Sequence, residues 1–101
     1  MESATIALQV DSDWYLDRYP DVRRAVEDGR YASALDHFVR VGIKQGLLPR
    51  RPNVDESWYR ARYSDVDQAI RKGEFESGFE HFVHFGYRED REPSAGGSPW
   101  V

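Results

Sequence analysis

The sequence predicts an all-α fold in which two tandem three-helix repeats pack as one pseudo-symmetric domain. Three observations predict it. The chain matches itself without a gap at an offset of 44 residues, with 10–50 falling on 54–94. Apolar residues recur at helical rather than alternating spacing. Proline, glycine and N-capping residues cut each copy into three short segments. Of the 101 residues 40% are hydrophobic, enough for one compact core but not for two independent ones. The expected organisation is therefore a single helical domain over 1–94, with repeat one at 10–50 and repeat two at 54–94, followed by a flexible tail at 95–101. Neither copy is expected to be stable alone, because a unit this short cannot bury its apolar face without a neighbour.

Taken in order, Asp11 and Asp55 are the N-caps of the first helix in each copy, ahead of Trp14, Tyr15 and Tyr19 or Trp58, Tyr59 and Tyr63. Pro20 breaks that helix and suits the first position of the next, which should run to Asp28 and stop at Gly29, as Gly73 stops its counterpart. Ser33 to Asp36 and Ser77 to Glu80 have the form of capping boxes that open the third helix. The stripe Leu35, Phe38, Val39 and Gly42, or Phe79, Phe82, Val83 and Gly86, has the i, i+3, i+4, i+7 spacing of a helix lying on a core. That helix is expected to end at Gly42 and Gly86. The copies are about four-tenths identical over this ungapped span, which marks each as one supersecondary unit.

Composition narrows the functional classes. With 14 basic and 18 acidic residues the net charge is −4, which argues against nucleic acid and anionic membrane surfaces as general partners. Cysteine is absent, so disulfides, thiolate nucleophiles and zinc–thiolate sites are excluded together. No segment supplies the roughly 20 apolar residues of a spanning helix, and Met1 to Val10 has no basic, then apolar, leader pattern. A cytoplasmic location is the simplest expectation.

The chemistry-bearing residues have structural readings beside functional ones. His37 and His81 recur at equivalent positions, and a half-buried imidazole bonded to a neighbouring backbone carbonyl accounts for them better than a ligand or general base. His81 and His84 stand at i, i+3, yet no third metal ligand has a recognisable spacing and Arg40 replaces His84 in the first copy. The recurring carboxylates all sit at helix starts. No nucleophile elbow, phosphate-cradling loop or dinucleotide fingerprint is present, so neither an enzyme nor a cofactor is expected. The sets Trp14, Tyr15 and Arg18 and Trp58, Tyr59 and Arg62 are candidates for stacking on a sugar or other ligand, against the reading that they fill the core. Positions that differ between copies are the candidates for a protein partner. Arg23 and Arg24 face Asp67 and Gln68 in the alignment, and Leu47 and Leu48 are apolar where Arg91 and Glu92 are charged, which suits a contact or self-association patch and equally a place tucked under the linker.

Trp14 to Val22, with His37, Phe38, Gly42 and Pro49, resembles a bacterial repeat of the form YLxxNPDVA…HYxxxGxxEGRxP. Such repeats accompany polysaccharide-related glycosyltransferases and some secreted calcium-binding proteins. The resemblance implies a helical, non-catalytic accessory segment and carries no binding residue over. Tyr19 and Tyr63 stand where that pattern has asparagine, Ser64 where it has proline, and Asp90 where it has glycine, all at turns. The expected function is a non-enzymatic protein–protein interaction or accessory module of a surface-polysaccharide or secretion system. Its partner would be another protein or a second copy of the chain. A carbohydrate-binding module and a nucleic-acid adaptor are the alternatives.

Overall fold

The computed structural model describes residues 10–100; residues 1–9, which hold most of the segment without a leader pattern, and residue 101 lie outside the described residues. All its regular elements are helical, with no strand among the described residues. The chain divides into two compact units, Met1–Arg51 and Pro52–Val101.

In the first unit α1 is Ser12–Arg18 and α2 is Pro20–Glu27; α3, Ala34–His37, runs on through a π-helical stretch, Phe38–Gly42, into α4, Ile43–Gln45. The Asp11 side chain accepts the Trp14 N–H at 3.1 Å, which caps α1 as its sequence position demands. Pro20 opens α2 with Asp21 in its first turn, where a carboxylate meets the positive end of the helix. The helix stops one residue short of the expected Asp28. Ser33 Oγ accepts the Asp36 N–H at 3.1 Å, but the Asp36 carboxylate accepts from Ala32, one residue before the cap, at 3.0 Å.

The second unit repeats these choices with α5 at Glu56–Arg62, α6 at Ser64–Arg71 and α7 at Gly78–His81, the last continuing as the π-helical Phe82–Gly86. Asp55 caps α5 and Ser77 caps α7. Here Glu56 stands where the first unit has Ser12, and its carboxylate accepts the N–H groups of Gly78 at 2.6 Å and Phe79 at 3.1 Å. A Cβ on Gly78 would lie 2.9 Å from the Tyr59 ring and 3.0 Å from that carboxylate, so glycine stands where the first unit has Ala34.

In the first unit the third helix does not end at the expected Gly42 but runs on to Gln45, whereas in the second it ends at Gly86 as expected. Ile43 N–H bonds Phe38 C=O and Tyr87 N–H bonds Phe82 C=O at 2.9 Å, both i to i+5, so a wide turn leads up to each glycine. Both glycines are there because a tyrosine occupies the space of their side chain. A Cβ on Gly42 would collide with the Tyr15 hydroxyl and one on Gly86 with the Tyr59 hydroxyl. The chain turns away later, at Gly46 (φ 74°) and at Asp90 (φ 60°), where aspartate takes the left-handed backbone that glycine takes in the first unit.

The first core gathers Tyr15, Val22 and Ala34, with Val10, Leu16, Tyr19, Val26, Phe38 and Leu47 packed against them. In the second unit Tyr59, Val66, Phe82 and Val83 are buried. Of the expected stripe, Val39 is a departure: it is 45% exposed while its counterpart Val83 is buried. Each unit is closed by its last loop, with Asp11 N–H bonding Pro49 C=O and Asp55 N–H bonding Pro93 C=O, each at 3.0 Å. The Tyr19 hydroxyl accepts the Leu48 N–H at 3.1 Å and the Tyr63 hydroxyl accepts the Glu92 N–H at 2.8 Å, which explains tyrosine at that turn. Residues 95–100, expected as a flexible tail, pack back instead: Pro99 C=O accepts from Asn53 at 2.9 Å and the Trp100 ring lies edge-on to Tyr87 at 6.2 Å.

The close approach sets up a double-mutant test. Gly86→Ala alone should destabilise by about 1–3 kcal/mol, the usual cost of overpacking a core. In a Tyr59→Phe background, which removes the colliding oxygen, the same change should cost measurably less, and urea midpoints of the four proteins check this non-additivity.

Candidate functional site

The Tyr15 hydroxyl lies 2.8 Å from His37 Nδ1, and the Tyr59 hydroxyl 2.8 Å from His81 Nδ1, both pairs buried. The imidazoles thus bond a tyrosine hydroxyl rather than the backbone carbonyl expected for them. Each is wedged edge-on against a second ring, His37 on Tyr31 at 4.8 Å and His81 on Phe75 at 5.0 Å. Burial pushes both tyrosines far up in pKa. Burial also holds His37 below its ordinary value, with Asp21 and Asp36 pulling the other way, and does the same to His81, where Arg91 and His84 add to it and Glu89 and Asp65 oppose it. Both pairs are therefore neutral, each hydroxyl and Nδ1 sharing one hydrogen bond whose donor is set by the tautomer of the ring.

This geometry removes several candidates from the surface. Tyr15 and Tyr59 are fully buried, so neither has a ring face to offer a ligand. Trp14 and Trp58 remain partly exposed, each edge-on to the tyrosine five residues later at 6.3 Å. Arg18 is partly buried at the end of α1, and the Arg62 guanidinium lies over its own neighbour, Tyr63, at 5.3 Å. The Trp–Tyr–Arg sets are thus each split between core and surface. Leu48 is fully buried and Leu47 packs on the first core, which corrects their reading as a contact patch: the apolar loop closes its own unit. In the second unit the place of Leu47 is taken by Arg91, which pairs with Asp65 through two bonds of 3.1 and 2.7 Å and lies over Tyr63 at 4.8 Å. That pairing holds Asp65 below the usual carboxylate range.

Arg23 and Arg24 are exposed on α2, and Arg23 reaches the Leu16 carbonyl at 3.4 Å and Asp17 at 3.8 Å. Their counterpart Asp67 is instead held between Arg60 at 2.6 Å and Arg71 at 2.7 Å. His81 is committed to Tyr59, and among the described residues no group of three or more His, Cys, Asp or Glu is placed to hold a metal ion. No helix among them is long and apolar enough to cross a membrane.

Two surface features were not read from the sequence. Val39 (45% exposed) and Ile43 (54% exposed) stand four residues apart on the helix through 34–45 of the first unit. In the second unit Phe85 (46% exposed) borders an open groove of about 300 Å³ with Glu74, Phe75, Glu76, Glu80 and His84. The only sequence signal for the groove was the charge imbalance of the second copy, with ten acidic and six basic residues in 54–94 against seven of each in 10–50. No family model, no curated protein and no solved structure matches the chain.

The buried pairs predict a pH dependence. Because each folded-state imidazole has a lowered pKa, the unfolded chain binds more protons just below about pH 6.5, so stability is full above that value and falls as the pH drops from it. Asp36, Asp65 and Asp67 act in another window, since their lowered pKa values contribute stability above about pH 4 that is lost below it. Urea midpoints measured between pH 8 and pH 5 should fall with pH in the natural protein. In His37→Asn with His81→Asn, whose amide can still bond the tyrosine hydroxyl as donor or acceptor, the slope should flatten.

Proposed function

We propose that the chain is a non-enzymatic protein–protein interaction or accessory module, its two three-helix repeats packing as one pseudo-symmetric domain. The observation that carries this reading is the exposure of Val39 and Ile43 as neighbours on a helix whose other face is core. Apolar side chains so placed suit the dry centre of a protein contact. The groups most capable of chemistry, the two histidines and their tyrosines, are spent inside the units. The carbohydrate reading is weakened because Tyr15 and Tyr59 have no exposed ring face. The nucleic-acid reading is weakened by a net charge of −4. A bacterial surface-polysaccharide or secretion setting rests on the motif resemblance alone.

Two measurements test the two parts of the proposal. Charging the patch, as Val39→Glu with Ile43→Glu, should weaken retention of a protein partner by at least about tenfold while leaving the circular dichroism and melting temperature nearly unchanged. Retention that survives the double substitution rejects this surface. For the packing of the repeats, scanning calorimetry of the whole chain should give one transition with equal calorimetric and van't Hoff enthalpies; two resolved transitions would show that the units fold separately.

A further inference from the structure

We infer that the groove of the second unit is a receptor for an arginine side chain of the partner protein. The first unit supplies the template. There the Arg40 guanidinium lies over the Tyr31 ring at 5.2 Å and bonds the Asp36 carboxylate at 3.3 Å. Tyr31 and Asp36 lie on the segment that caps and opens α3, and Arg40 on the π-helical stretch that follows it. At the same offset of 44 the second unit keeps the aromatic ring, as Phe75, and the carboxylate, as Glu80, but has His84 in place of the arginine. The local frame is the same, with Ser77 capping α7 as Ser33 caps α3 and Phe75 edge-on to His81 as Tyr31 is to His37.

The shorter His84 side chain, which lies 3.6 Å from Glu80, leaves the open groove of about 300 Å³, at the lower end of the size of ligand sites and suited to a single side chain. Its charge is changed to match. Arg30 and Ala32 of the first unit are replaced by Glu74 and Glu76, so three glutamates now border the space that a guanidinium fills in the first unit. Phe85 adds a second ring, edge-on to Phe75 at 5.7 Å, and the chain's own Arg88 lies over Phe85 at 5.8 Å, which shows that a guanidinium is at home against that ring. A planar fork over an aromatic face with carboxylates at its edge is an arginine site rather than a lysine site, because only guanidinium stacks and bonds two oxygens at once.

This inference rests on the interaction-module reading and names the chemistry of its partner. The test is a titration of the intact, nitrogen-15-labelled protein with the peptide Ac-Gly-Arg-Gly-Arg-Gly-NH2, alongside its citrulline and lysine counterparts, followed by amide chemical shifts. The arginine peptide should move the amides of Phe75, Glu76, His84 and Phe85 in a saturable way. The citrulline peptide, neutral and of the same shape, should leave them in place, and the lysine peptide should bind more weakly. His84→Arg should fill the groove from within and weaken arginine binding by at least about fivefold, as should Glu76→Gln with Glu80→Gln, which keeps the shape and removes two charges. Absence of any shift, equal shifts from the citrulline or lysine peptide, or undiminished binding by either folded variant would overturn the assignment. A groove that fails while the Val39→Glu, Ile43→Glu variant still releases a partner rejects only the arginine site. If the patch variant releases nothing and the arginine peptide still binds, the fault lies with the patch reading.

Discussion

The hydrogen bond between a buried tyrosine hydroxyl and a buried imidazole is the constraint from which the rest of each unit follows. It ties the first helix to the third, Tyr15 to His37 and Tyr59 to His81, across 22 residues of sequence and away from water. Buried polar groups of this kind are stable only when both are satisfied, so neither partner can be changed alone without cost. To admit the hydroxyl the third helix must pass it without a side chain, hence Gly42 and Gly86. To hold the rings in place it is flanked by further aromatics, Tyr19 and Phe38 in one unit and Tyr63 and Phe82 in the other. The widened π turn sits at this crossing in both units, between Phe38 and Gly42 and between Phe82 and Gly86.

Away from this centre the two units diverge. Leu47 becomes Arg91, so an apolar loop closure in one unit is an ion-paired one in the other. Ser12 becomes Glu56, which takes over two N–H groups at the start of α7. Arg40 becomes His84, which opens a groove where the first unit carries its own guanidinium over Tyr31. Each exchange leaves the helices of its unit in place and alters the side chains around them.

Much of the backbone was legible in the sequence because helix signals are local. Asp11, Asp55, Ser33 and Ser77 cap where they should, Pro20 opens a helix, and Gly29 and Gly73 end one, since each acts on N–H or C=O groups within a few residues of itself. The same local reading misjudged Gly42, which the helix passes. A glycine that stops a helix and a glycine that lets a distant tyrosine through look alike in one dimension. It also left Leu47 and Leu48 undecided, because a loop leucine carries no mark of whether a core lies beneath it.

What the sequence by itself determined is therefore the helical class, the 44-residue internal match and most helix boundaries, all properties of neighbours along the chain. Tertiary structure alone decided the partner of each histidine, the burial of Tyr15, Tyr59 and Leu48, the exposure of Val39 and Ile43, and the groove beside Phe75. These depend on contacts between residues twenty or more positions apart, or on which side chain lies over another. Spacing constrains such relations only through the packing that chain folding brings about.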